Sequence, residues 1–132
     1  MIIENRNFYF SIIIALCLTM ILTTIPVWQL VIIPGIIAGF FNKSMKRAMV
    51  AGLIGVFAAW IIYILHGLIT RNVYSILDQF GALIISTGYG WLLLVIIILM
   101  GAIFGALGGG FGYGLLMTIK FYIEKESSRD TR

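Results

Sequence analysis

The sequence predicts an all-α integral membrane protein with four transmembrane helices as two hairpins, and an interfacial or re-entrant segment between helices 3 and 4. The first supporting observation is composition: 61% of the 132 residues are hydrophobic, 11% are charged, and the mean hydropathy is +1.10. A soluble domain of this size leaves too much surface exposed to hide that apolar area. The second is that short basic clusters separate long apolar runs. The third is a regular series of glycines in the last run.

The first apolar stretch is too long for a single helix. Residues 8–41 in one helix would be about 50 Å long, against about 30 Å of hydrocarbon, so the chain has to fold back. Pro26 interrupts the helical hydrogen bonds and Trp28 suits a membrane interface, which places the turn there. The first helix is therefore predicted over residues 8–24 and the second over residues 27–41.

The second and third helices are expected to pack closely. The second carries Pro34 and should be tilted or kinked, and the third is predicted over residues 48–69, after a basic loop at residues 42–47. Small residues on both sides of this loop favour an antiparallel pair. The glycines among them are Gly35, Gly39, Gly52 and Gly55.

Residues 70–90 are the most polar internal segment. Arg71 and Asp78 lie in its first half, whereas residues 80–85 are apolar. The segment is too mixed to span a bilayer and too apolar for an ordinary loop, so it is predicted to be interfacial or re-entrant.

The last apolar run, which extends to Ile123, contains a glycine ladder. Its members recur at steps of four, three and four residues and so share one face of a helix. They are Gly101, Gly105, Gly108 and Gly112. Unpaired backbone groups cost several kcal/mol in hydrocarbon, so the chain stays helical and the glycines allow another helix to approach closely. The ladder is therefore the predicted seam for helix packing, whereas Gly110 and Gly114 point elsewhere.

A five-residue motif precedes this helix: Ser86, Thr87, Gly88, Tyr89 and Gly90. It resembles the potassium-channel selectivity filter, Thr-Val-Gly-Tyr-Gly. The resemblance implies a homo-oligomeric channel in which four copies of the loop present backbone carbonyls to the ion. Trp91 stands where that family commonly has an acidic residue. The alternative interpretation is a Gly/Tyr turn at the membrane interface.

The basic residues predict the orientation of the chain. Four spans put eight of the nine Lys and Arg residues on one side and leave only Arg71 opposite. The eight are Arg6, Lys43, Lys46, Arg47, Lys120, Lys125, Arg129 and Arg132. The positive-inside rule places that side, with both termini, in the cytoplasm. The expected location is the plasma or inner membrane of the cell. The predicted organisation is one transmembrane domain, residues 1–123, and a short charged cytoplasmic tail, residues 124–132.

Little in the sequence indicates catalysis. One His, one Cys and five carboxylates do not readily provide a metal site or a nucleophile with its base, so neither an enzyme nor a cofactor is predicted. His66, near a membrane boundary, is either a proton-relay or ligand-binding group or an interfacial residue. The net charge of +4 lies in short clusters, which suits lipid headgroups and excludes nucleic acid as the expected partner.

These observations predict a small non-catalytic, multi-pass membrane protein. The first expectation is a subunit or helix-packing component of a membrane complex, with a membrane-protein partner or self-association in the lipid bilayer. The alternative is a homo-oligomeric ion channel or small transporter that uses the filter-like loop.

Overall fold

The computed structural model describes residues 2–24 and 28–130. Over these residues the chain is helical, without a strand, as the sequence predicts. The elements are α1 (Ile2–Thr23), a 3-10 helix (Trp28–Val31), α2 (Ile32–Phe40), α3 (Met45–Thr70), α4 (Val73–Ile84) and α5 (Gly90–Asp130). The turn expected at Pro26 lies outside the described residues.

Two helices, α3 and α5, are long and apolar enough to cross a membrane. The apolar part of α1 (Asn7–Thr23) and α4 are shorter, and α2 has only nine residues. Pro34 is the third residue of α2 and so lies in its first turn. Proline is tolerated there because a backbone N–H group in the first turn has no acceptor within the helix. α5 has 41 residues and continues through the charged tail as far as Asp130.

The core of the molecule is the contact of α5 with α3 and α2. α1 packs on α3, and α4 packs on the beginning of α5. Gly109 lies against Ala48 near the start of α3, whereas Gly101 lies against Trp60 further along it, so α3 and α5 are antiparallel. The connection at residues 71–89, which contains α4, returns the chain alongside α3.

A buried polar contact ties α1 to the end of α2. The Nδ2 atom of Asn42 donates to the Oγ atom of Ser11 and to the carbonyl oxygen of Ala38, both at 2.9 Å. The Ser11 hydroxyl in turn donates to the carbonyl oxygen of Phe8 at 2.7 Å. Ser11 lies in the first half of α1 and Asn42 follows α2, so these two helices are antiparallel.

The surface of the chain is large and apolar. Its accessible area is 9050 Å², whereas a compact soluble monomer of 14.7 kDa would expose about 6,900 Å². Large apolar side chains are exposed along every α-helix, including Ile69 at 84% and Leu83 at 83%. An apolar solvent satisfies such a surface better than water does.

Candidate functional site

The glycine ladder faces the backbones of two helices in the same chain. A Cβ atom on Gly105 would lie 2.5 Å from the carbonyl oxygen of Gly52 and 2.8 Å from Cβ of Val56, both on α3. A Cβ atom on Gly108 would lie 2.6 Å from the carbonyl oxygen of Ile32 on α2. Such distances leave no room for a side chain, so only glycine fits this approach of helix backbones.

The second helix meets the ladder through its own glycines. Gly35 lies against Gly108, and Gly39 lies against Gly112, so α2 and α5 run parallel. Gly112 also lies against the backbone of Ile36. The short α2 is thus held by close backbone contact along one face rather than by large interdigitating side chains.

The remaining glycines of the predicted set serve different partners. Gly52 lies against Gly105 of α5. Gly55 lies against α1, where a Cβ atom built on it would be 2.5 Å from Cβ of Ala15. The sequence suggested that the glycines of helices 2 and 3 would pack these two helices together. α2 and α3 do touch, but Gly35, Gly39 and Gly52 face α5, and Gly55 faces α1. Where three helices converge, the smallest residues lie where two backbones come closest.

The sequence reasoning missed Trp60 as a ladder partner. A Cβ atom on Gly101 would lie 3.1 Å from the Cδ1 atom of Trp60, so the bulk of the indole fills the space that glycine leaves. The indole Nε1 atom is buried, and no described residue accepts its hydrogen bond. No periodicity in α3 marks this residue, because its neighbours are also large and apolar.

A groove stays open on another face of α5. This open groove has a volume of about 440 Å³, and its lining is formed by Met45, Met49, Leu107, Gly110, Phe111, Gly114, Leu115 and Thr118. Nothing lies within 4 Å of a Cβ built on Gly114, which is exposed, whereas Gly110 is buried and a Cβ on it would lie 3.4 Å from Cγ of Met49 on α3. Gly114 is therefore left without a helix against it in the described chain.

The filter-like motif forms a capped turn between α4 and α5. The Oδ1 atom of Asp78 accepts hydrogen bonds from the N–H groups of Gly88 at 2.9 Å and Gly90 at 3.2 Å. Gly88 has φ +89°, a conformation that glycine adopts without a steric penalty. The backbone of Tyr89 and Gly90 packs on Gly81 of α4. Asp78 satisfies donors at the beginning of α5, a role that its spacing of ten residues from Gly88 did not suggest.

His66 lines a cleft at the end of the bundle opposite the basic loop. The cleft has a volume of about 410 Å³, and Thr24, Tyr63 and Arg71 also line it. The Thr24 hydroxyl donates to the carbonyl oxygen of Ile21, so it is engaged within its own helix turn. His66 is exposed there. In the described part of the chain, no three His, Cys, Asp or Glu side chains form a group that could hold a metal ion.

Comparison with protein-family models, with curated proteins and with solved structures finds no significant match.

Proposed function

We propose that the chain is a multi-pass protein of the plasma or inner membrane, with four membrane helices and both termini in the cytoplasm. α1, α2, α3 and α5 alternate in direction, as four consecutive crossings require. The apolar part of α1 is close to the length of a full span, whereas α2 and the 3-10 helix directly before it together extend about 21 Å, so the second crossing requires the bilayer to thin beside it. The basic residues beside α3 and at the end of α5 share one end of the bundle, which supports this orientation.

Within the bilayer, the proposed role is that of a non-catalytic assembly component in a membrane complex. The observation that carries this role is the open groove beside Gly114, because the glycine ladder is already used within the chain. The exposed Gly114 lets another helix approach closely, and the flexible side chains of Met45 and Met49, which cover Gly110, can adapt to it. The groove therefore has the properties of a docking face for a transmembrane helix.

The proposed occupant is α5 of a second copy. A Gly-x-x-x-Gly face packs well against the same face of an identical helix, which makes a symmetric pair self-complementary. Residues 110–114 carry this motif in the open groove, where the side chains of Met45 and Met49 cover Gly110 and Gly114 is exposed. A helix of a different membrane protein would occupy the same face. The test therefore has to distinguish a second copy of α5 from a helix of another protein.

Cysteine cross-linking in native membranes tests this role. In a Cys17→Ser background, Gly114→Cys should give a disulfide-linked dimer on mild oxidation, because two docked α5 helices bring their Cα atoms within the 4.4–6.8 Å that a disulfide spans. Val50→Cys is the matched control, since this exposed residue of α3 lies near the same end of the bundle but outside the groove.

Equal cross-linking at positions 50 and 114 would indicate random collision and would contradict the proposal. No dimer at position 114, with a product of higher mass, would assign the groove to a different protein. A groove that faces only lipid would yield neither product.

The filter-like loop does not favour a channel in this geometry. A potassium filter works through carbonyl oxygens that face the ion, whereas here the carbonyl oxygen of Tyr89 accepts a hydrogen bond from the N–H group of Leu92 at 3.1 Å, and Gly90 already belongs to α5. This arrangement favours the alternative interpretation, a Gly/Tyr turn. Potassium flux into liposomes that is lost in Gly88→Ala would reverse that preference, because the substitution disfavours the positive φ of the loop.

A further inference from the structure

Two lysines from different elements line one cleft between α2 and α5. This lysine cleft has a volume of about 370 Å³ and includes Lys43, which follows α2, and Lys120, which lies near the end of α5. Tyr113 contributes to the wall, and Phe40, Leu116 and Met117 provide an apolar surface beside it. The lining contains no carboxylate among the described residues. The cleft thus combines positive charge with an apolar floor.

The local charge stays positive after the neighbouring groups are considered. The C-terminus of α2 contributes at most about half a negative charge to the cleft. Its carbonyl groups at Ala38 and Gly39 already accept hydrogen bonds from the backbone N–H groups of Phe41 and Asn42. Glu124, one turn beyond Lys120, lines an adjoining surface depression that Lys120 also lines, but it does not line this cleft. The described charged residues of the cleft wall itself are therefore the two lysines.

The position of the cleft along α5 matches the headgroup level of a bilayer. From Gly90 to residue 119 the helix contains no charged residue, and Lys120 is the first. Leu116 and Met117 lie one turn before it, on the membrane side. A lysine at the end of an apolar helix places its charge among the lipid headgroups.

We propose that the lysine cleft binds the headgroup of an anionic phospholipid. Lys43 and Lys120 bind the phosphate, the apolar surface at Phe40, Leu116 and Met117 contacts an acyl chain, and Tyr113 lies between the two regions. This assignment depends on the membrane insertion that we propose above. It does not depend on assembly through the open groove, since the two surfaces share no lining residue.

Native mass spectrometry of the purified chain in detergent tests the assignment. Phosphatidylglycerol and phosphatidylcholine with matched acyl chains are titrated separately, and retained lipid is counted. We expect tighter retention of phosphatidylglycerol, and about a fivefold loss of affinity for each of Lys43→Gln and Lys120→Gln, from the usual contribution of one basic residue near a lipid surface. Lys43→Arg should retain most of the binding because it keeps the charge.

Lys46→Gln and Lys125→Gln are the charge-matched controls, because each removes one exposed positive charge outside the cleft. A loss of affinity in these controls equal to that in the cleft variants would indicate diffuse attraction and overturn the site. Equal retention of the two lipids would also overturn it. Displacement of the lipid by an equimolar amount of inorganic phosphate would assign the cleft to a free anion instead. Unchanged melting of every variant in lipid-free detergent verifies that the fold is intact.

Discussion

Glycine residues on two faces of α5 have opposite surroundings, although their sequence context is similar. On the ladder face, a Cβ atom on Gly105 would overlap the backbone of α3, and that backbone cannot move without separating the helices. On the groove face, a Cβ atom on Gly114 meets nothing within 4 Å. The same residue type is thus required for packing at one position and is only a weak helix former at the other.

Substitutions at these two positions should have opposite effects on stability. Gly105→Ala should lower the free energy of unfolding in detergent by about 1–3 kcal/mol, the usual cost of overpacking, and Gly105→Leu by more. Gly114→Ala should leave it unchanged or raise it by up to roughly 1 kcal/mol, because alanine favours the helix. Thermal melting followed by circular dichroism measures both. Equal tolerance of Leu at positions 105 and 114 would mean that the ladder packs against no helix.

At the scale of helices, the sequence predicts which face of α5 packs but not the helices that it packs against. The all-helical fold was predictable because apolar runs of this length must satisfy their backbone hydrogen bonds internally. The ladder face was predictable from spacing alone, since Gly101, Gly105, Gly108 and Gly112 are set by helix geometry. Its partners were not, because spacing does not say which of two glycine-bearing helices lies opposite. α2 and α5 are far apart in the sequence, so no local pattern indicates that they are in contact.

Residues 70–90 illustrate the same limit on a smaller scale. Their mixed composition predicted an interfacial or re-entrant segment, and the structure has α4 in that part of the chain, with Ile76, Phe80 and Leu83 exposed. The motif after it resembled a filter because sequence similarity records residue types only. The hydrogen bonds of Asp78 determine which backbone groups of the loop are available, and they depend on how the loop folds back on α4.

Removal of the Asp78 carboxylate should loosen the α4–α5 connection. Asp78→Ala deprives the N–H groups of Gly88 and Gly90 of their acceptor, at a cost of about 1 kcal/mol, as for other helix-terminal caps. Hydrogen exchange at these two amides should become faster, while exchange within α3 stays unchanged. Asp78→Asn keeps an acceptor oxygen and should have a smaller effect. Gln79→Ala, at the exposed neighbouring position, is the control. Unchanged protection in Asp78→Ala would show that the cap does not stabilise the loop.

At the scale of the whole molecule, α5 connects the packed core to the charged end of the chain. Its 41 residues are about 60 Å long, twice the thickness of the hydrocarbon region. The first part carries the ladder against α2 and α3, and the part beyond Lys120 carries most of the carboxylates. In the membrane arrangement proposed above, a helix of this length either tilts strongly or projects into the aqueous phase, and its charged end favours projection.

The orientation of the whole bundle determines which leaflet the lysine cleft faces. Single cysteines at Ser44, Ser75 and Ser128, in a Cys17→Ser background, sample the basic loop, α4 and the end of α5. Ser44 lies at the end of the bundle that the end of α5 shares, and α4 lies at the opposite end, because α3 and α5 are antiparallel. The positive-inside rule therefore predicts that a membrane-impermeant thiol reagent labels only position 75 in intact cells. Positions 44 and 128 should react only after permeabilisation. Labelling of position 44 from outside would mean that the bundle has the opposite orientation. The lysine cleft would then face the outer leaflet and not the cytoplasmic leaflet, where anionic lipids attract basic residues.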